Sequence, residues 1–246
     1  MITFENVTKS YGSLKAVDNL NLTIEDGQVF GFIGPNGAGK TTTIKLMTGI
    51  LAPDSGTVKL DGVDIAKEPI EAKRRFGFVP DQFNMYERLT GREYLRFMAD
   101  IYCVPLEKRN AHIEKYLQLF SLEQAYDQQI RGYSHGMKQK LAIIGALIHE
   151  PSIWILDEPM VGLDPQSAFL LKEEMRKHRD NGHTVFFSTH VLDVAERLCD
   201  QIGIIKQGQL IANGTLEELR GGQNDSTLEE LFLELVQADD WNEEGE

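Results

Sequence analysis

Val29-Phe30-Gly31-Phe32-Ile33 is a short apolar run that ends at once in Gly34-Pro35-Asn36-Gly37-Ala38-Gly39-Lys40-Thr41-Thr42. Residues 34–41 fit G-x-x-x-x-G-K-[ST]. The run reads as a strand buried on both faces. Thr42-Thr43-Ile44-Lys45-Leu46-Met47 reads as a helix stopped by Gly49. Strand, glycine-rich loop and helix in this order confine the chain to an α/β core that cradles phosphate. The glycines let backbone N–H groups turn inward around phosphate oxygens, because no Cβ obstructs the approach. The helix aims its positive N-terminal end at the same anion. Lys40 reaches the β- and γ-phosphates, and the Thr41 hydroxyl meets Mg²⁺. The expected ligand is Mg-ATP; the bland alternative is an ordinary glycine-rich turn.

The strand–loop–helix pattern recurs. Ile153-Trp154-Ile155-Leu156, Thr184-Val185-Phe186-Phe187 and Ile202-Gly203-Ile204-Ile205 read as three more buried strands, separated by helical stretches over 166–179 and 191–198. Such alternation favours a parallel sheet with helices on its faces. Ahead of it, Ile2-Thr3-Phe4-Glu5-Asn6-Val7 and Leu20-Asn21-Leu22-Thr23-Ile24 alternate with period two, as half-buried strands do. The strand over 153–156 ends in Asp157-Glu158. In a parallel sheet the C-terminal strand ends line the ligand crevice. Asp157 is therefore expected to hold Mg²⁺ and Glu158 to orient and deprotonate the attacking water. The alternative is a pair of solvated acids at a strand end.

Between residues 91 and 123 the period becomes helical, with Tyr94, Leu95, Phe97, Met98 and Ile101, then Ile113, Tyr116, Leu117 and Phe120, at helical spacing. This reads as an all-helical insertion into the α/β core. Near the C-terminus, Ser226-Thr227-Leu228-Glu229 matches a capping box, and Leu228, Leu231, Phe232, Leu235 and Val236 mark one face of a short helix. Residues 239–246 read as frayed or disordered.

Composition excludes several classes. The longest clean apolar run, residues 141–148, is far short of the ~18 residues a bilayer span requires. Met1-Ile2-Thr3-Phe4-Glu5 lacks a basic segment followed by an apolar one, so no signal peptide is expected, and the chain is expected in the cytoplasm. Cys103 and Cys199 show no metal spacing and read as reduced structural thiols. Of the net charge of −13, residues 217–246 carry −10, which argues against nucleic-acid binding.

From about Met1 to Leu219 the chain resembles the ATP-binding subunits of ABC transporters, and its motifs stand in that family's order. The resemblance implies a nucleoside triphosphatase core with a mostly parallel sheet, an N-terminal antiparallel β-subdomain and an inserted α-helical subdomain. It implies an ATPase unit over 1–220, with the insertion at about 83–150, and an acidic tail with one short helix over 221–246. Tyr11 stands where the family stacks an aromatic on adenine. Gln82 matches the glutamine that senses Mg²⁺ and the attacking water. Ser134 and Gly136 lie in the signature, and Gly162-Leu163-Asp164 matches the loop that crosses a dimer interface. His190, in Phe187-Ser188-Thr189-His190, matches the switch histidine that contacts the γ-phosphate.

Each of these also has a plain structural reading. Tyr11 suits a turn, Gln82 an exposed loop, and His190 or Ser134 a helix cap. Asp164-Pro165 is an N-cap followed by proline at the first helical position. The family's usual Leu-Ser-Gly-Gly-Gln signature is here Tyr133-Ser134-His135-Gly136-Met137. That form, and the tail Thr227-Leu228-Glu229-Glu230-Leu231-Phe232, resemble the branch exporting antibiotics, polysaccharides and similar cargo. The family pattern implies a second ATP-binding subunit, alike or different, and a membrane permease at the inner face of the cell membrane. The permease is expected near Phe83-Asn84-Met85-Tyr86-Glu87-Arg88. Two other readings stay open: a soluble ABC-type ATPase without a permease, and a nucleotide-binding regulatory module without catalysis.

Overall fold

A computed structural model describes residues 1–82, 84–221 and 227–237. Two sheets and a helical layer account for the architecture. The first sheet is antiparallel, in the order β2 (Leu14–Ile24), β1 (Ile2–Tyr11), β4 (Ser55–Leu60), β5 (Val63–Asp64). The second runs β10 (Gln209–Gly214), β9 (Gln201–Lys206), β3 (Val29–Ile33), β8 (Thr184–Thr189), β7 (Ile153–Asp157), β6 (Phe76–Val79). Its strands pair in parallel except β10, which returns antiparallel along β9. The mostly parallel sheet, the antiparallel N-terminal sheet and the helical layer are the architecture expected from sequence.

Period-two alternation divides the second sheet's side chains between two cores. Phe30, Phe32, Ile153, Ile155 and Phe186 face the first sheet, where they pack on Ile2, Phe4 and Leu22. Phe186 stacks on Phe30 at 5.8 Å and meets Phe32 at 5.4 Å. Burying such an aromatic contributes about 1.5–3 kcal/mol. Val29, Trp154, Leu156, Val185 and Phe187 face the helical layer. That layer comprises α3 (Gly91–Ile101), α4 (Leu106–Phe120) and α5 (His135–Leu147). A capping box starts α3: Thr90 Oγ1 accepts the Glu93 N–H and Glu93 accepts the Thr90 N–H. The apolar run over 141–148 is the buried half of α5 and the residue after it. Among the described residues no helix is long and apolar enough to cross a membrane.

The remaining helices are α1 (Lys40–Met47), α2 (Pro69–Arg75), α6 (Pro165–Asp180), α7 (Leu192–Leu198), α8 (Leu216–Arg220) and α9 (Leu228–Gln237). The capping box of α9 is shifted one residue from its expected place. Thr227 Oγ1 accepts the Glu230 N–H and the Thr227 N–H donates to Glu230. Ser226 lies outside the described residues, as do Phe83 and the stretch expected to fray, 239–246. Cys199 is packed beside Gly31, but Cys103 is exposed in a left-handed turn at φ 54, which corrects its reading as a structural thiol.

Candidate functional site

The phosphate loop is moulded by its glycines. Gly39 ends it at φ 112, a conformation L-side chains rarely adopt, and a Cβ there would strike the Ala16 carbonyl. A Cβ on Gly34 would strike the Ile205 carbonyl, so the loop's first turn lies directly on β9. No side chain caps α1 at Gly39, which leaves its first N–H groups for an anion. Lys40 is 8% exposed, and its Nζ donates to the Gly34 and Pro35 carbonyls at 2.6 and 3.2 Å. Burial pushes the Lys40 ammonium down in pKa, and the nearby Glu158 and Asp157 carboxylates partly offset that.

A cleft of about 360 Å³ opens over this loop. Residues 35–42 of the loop, Tyr11, Asp81, Asp157 and Glu158 line it. Tyr11 stands half-exposed at the end of β1, directly before the turn at Gly12. Parallel register sets Asp157 of β7 beside Ser188 of β8. Ser188 is fully buried; its Oγ donates to Asp157 Oδ1 at 2.5 Å and accepts the Glu158 N–H at 3.1 Å. Burial pushes the Asp157 carboxyl up in pKa; the Ser188 and Thr41 hydroxyls pull it back. Glu158 sits at φ 48, a left-handed conformation costing about 1–2 kcal/mol for a residue with a Cβ. The Ser188 bond helps to hold it there. His190 Nδ1 lies 3.0 Å from Glu158 Oε2; a carboxylate only accepts, so Nδ1–H donates. His190 does not cap α7, whose N-cap is Val191.

The donor set here suits a hard cation: the Thr41 hydroxyl and the Asp157 carboxylate, with Asp81 beside them. Among the described residues no group of three or more His, Cys, Asp or Glu could hold a metal. Two protein oxygens with phosphate and water completing the shell is a pattern Mg²⁺ favours. Gln82 is exposed and lines an adjoining hollow with Thr41, Asp81 and Asp157 rather than the cleft itself.

Ser134, Gly136 and Asp164 do not line this cleft. Ser134 caps α5, accepting the Met137 N–H at 3.3 Å. Asp164 caps α6 by accepting from Ser167, and Lys140 lies 3.1 Å away. The Ser167 hydroxyl and N–H and the Lys140 ammonium hold the Asp164 carboxyl well below the usual range. A Cβ on Gly136 would lie 2.8 Å from the Gly162 carbonyl, so the first turn of α5 packs closely on the loop at Gly162. Gln139, 2% exposed, donates to the Pro159 carbonyl next to Glu158 at 3.2 Å. Sequence reasoning missed Ser188, Asp81, Gln139 and Lys140.

A family model described as "ABC transporter" matches residues 17–161. The chain is 38% identical over 236 residues to the linearmycin resistance ATP-binding protein LnrL of Bacillus subtilis (strain 168), covering 95% of this chain and 75% of that protein. A solved ATP-binding subunit of an ABC transporter superposes with a TM-score of 0.92 at 33% identity, covering 96% of this chain and 99% of that one. The ATP-binding cassette MJ0796, in a dimeric post-hydrolysis state with ADP and Pi, superposes with a TM-score of 0.80 at 28% identity. That match covers 88% of this chain and 99% of that one.

Proposed function

The chain belongs to the ABC transporter family as an ATP-binding ATPase subunit, and from that membership we propose that it drives an export-type transporter, closing as a dimer around Mg-ATP and acting on a separate membrane permease. The observation that carries this reading is the division of the motif residues between two faces. The phosphate loop, Asp157 and Glu158 share one cleft, with His190 bonded to Glu158, while Ser134, Gly136 and Asp164 lie outside it. A second copy, turned about a two-fold axis, brings its Ser134 hydroxyl and Gly136 N–H to the γ-phosphate held by the first. The dimeric state of the MJ0796 cassette supports this arrangement.

Within the cleft Tyr11 stacks on adenine, and the N–H groups from Gly34 to Thr42 surround the phosphates. Lys40 leaves the Gly34 and Pro35 carbonyls for phosphate oxygens, exchanging neutral acceptors for charged ones. Thr41 and Asp157 would hold Mg²⁺, with Gln82 contributing from the adjoining hollow, and the ion would neutralise charge on the phosphates. Glu158 accepts a proton from the attacking water, and His190 fixes the carboxylate and reports the γ-phosphate. Asp164 crosses the dimer interface.

The ATPase unit spans 1–220, the helical insertion about 83–150, and the tail 221–246 carries α9. The permease docks in an apolar groove of about 720 Å³ lined by Met85, Tyr86, Leu89 and Phe97. There the exposed Tyr86 ring meets Phe97 edge-on at 5.9 Å. Docking holds the subunit at the inner face of the membrane. The Tyr-Ser-His-Gly-Met signature and the likeness to a resistance protein support the export reading. Glu158→Gln tests the reading: the variant should bind ATP, lose about 10²-fold or more of its turnover and form an ATP-dependent dimer on gel filtration. A monomer with undiminished phosphate release would refute it.

A further inference from the structure

A third apolar core joins the end of β3, α7 and β9 to α9. Ile33, the last residue of β3 before the phosphate loop, packs there with Ala195 of α7, Ile204 of β9 and Leu228 of α9; Leu192 and Phe232 pack against them. One residue, Val191, separates His190 from the start of α7. That helix has seven residues and no side-chain cap, too short to be stable on its own hydrogen bonds. The faces that bury it therefore set its position, and α9 supplies one of them.

Glu196 of α7 fastens the contact. One carboxylate oxygen accepts from Arg220 at the end of α8 at 2.9 Å; the other accepts the Leu228 N–H at 3.3 Å. The second bond satisfies an end-of-helix donor of α9, where the helix dipole also favours a carboxylate. At the far end of α9, Lys206 Nζ donates to the Val236 carbonyl at 2.6 Å. The helix is thus pinned at both ends, to α7 and to β9.

We propose that α9 is a clasp that sets His190 against Glu158, with Glu196 as the positioning residue that closes it. The inference rests on the reading of Glu158 and His190 given above. A clasp of this kind acts on turnover and not on nucleotide affinity, because the phosphate loop keeps its own contacts with β9 and β2.

Three full-length variants test it: Glu196→Ala, Leu228→Asp and His190→Ala. ATP turnover, affinity for a non-hydrolysable ATP analogue and the imidazole ring resonances of the six histidines are read together. The resonance missing from His190→Ala identifies that ring. Both clasp variants should keep analogue affinity within about twofold, lower kcat about tenfold and shift the His190 resonance while those of His112 and His149 stay in place. Retained affinity shows that the variant is folded; if Leu228→Asp loses it, Glu196→Ala decides. Wild-type kcat with an unmoved His190 resonance overturns the clasp, as does a shift of all the resonances together. Undiminished turnover in His190→Ala refutes the Glu158–His190 reading itself, and the clasp falls with it. Lost turnover in His190→Ala with intact clasp variants refutes the clasp alone.

Discussion

Replacing Ser188 by alanine removes one oxygen that two neighbours use. Asp157 loses a 2.5 Å donor inside the protein, and the Glu158 N–H loses its acceptor. A hydrogen bond to a buried charged group contributes about 1.5–3 kcal/mol. The left-handed Glu158 then carries about 1–2 kcal/mol of backbone cost with one tether fewer. Fold stability should fall by roughly 2–4 kcal/mol, short of the whole stability of a typical domain. Turnover should fall further, because an ångström of misplacement at the reacting group costs about 10²-fold. The pH profile carries a separate signature. Burial already pushes the Asp157 carboxyl up, and the hydrogen bond from the Ser188 hydroxyl is the main influence pulling it down. Without that hydroxyl Asp157 protonates at higher pH, so the acid limb of kcat moves towards neutrality. Steady-state turnover from pH 5 to 8, with Mg²⁺ titrated at each point, reads both effects. Wild-type kcat and an unmoved acid limb in Ser188→Ala would show that Ser188 merely fills space.

Acid should unfold the protein through two imidazoles. Burial pushes His149 and His178 down from 6.5 to about 4, so below pH 6.5 the unfolded chain binds protons that the folded one refuses. Stability is full above pH 6.5 and falls by about 3 kcal/mol per histidine on the way to pH 4. Urea midpoints at pH 7, 5.5 and 4.5 that do not decline would refute this. Gly34→Ala should abolish measurable nucleotide binding, because its Cβ strikes the Ile205 carbonyl and lifts the loop off β9. Calorimetry giving wild-type affinity would show that the loop tolerates the shift.

The phosphate loop was legible because its chemistry is contiguous: an apolar strand, the glycines, Lys40 and Thr41 follow one another in the chain. Asp157 and Glu158 were legible because they end an apolar strand. Ser188 was not, although it stands two residues before His190. Its role comes from the register that sets β8 beside β7, and one sequence does not encode register in any local pattern. Asp81 was not singled out beside Gln82, since which neighbouring polar residues line a cleft depends on the loop's path. The pair β4 and β5, the helix α2 and the edge strand β10 also went unread. The alternation in β4 spans only residues 57–60, β5 has two residues, and α2 and β10 carry no clean period. The α9 face was visible as a helical stripe, but what it covers depends on α7 and β3, which lie far away in the chain.

The two faces that carry the motif residues are not independent. The loop over 158–164 begins at Glu158, in the cleft, and ends at Asp164, among the signature residues. Helix α5 grips both ends, through Gln139 on the Pro159 carbonyl and Lys140 on Asp164. Ser134 caps that same helix. On the composite-site reading, α5 therefore ties the loop that begins at the base of one ATP site to the γ-phosphate donors of the other. On that reading a buried hydrogen bond and an ion pair link the Glu158 end of this loop to the helix that Ser134 caps. A coupling carried this way is sensitive to Gln139. Its amide is buried beside a backbone carbonyl, and truncating it leaves that acceptor without a partner rather than merely weakening a surface contact.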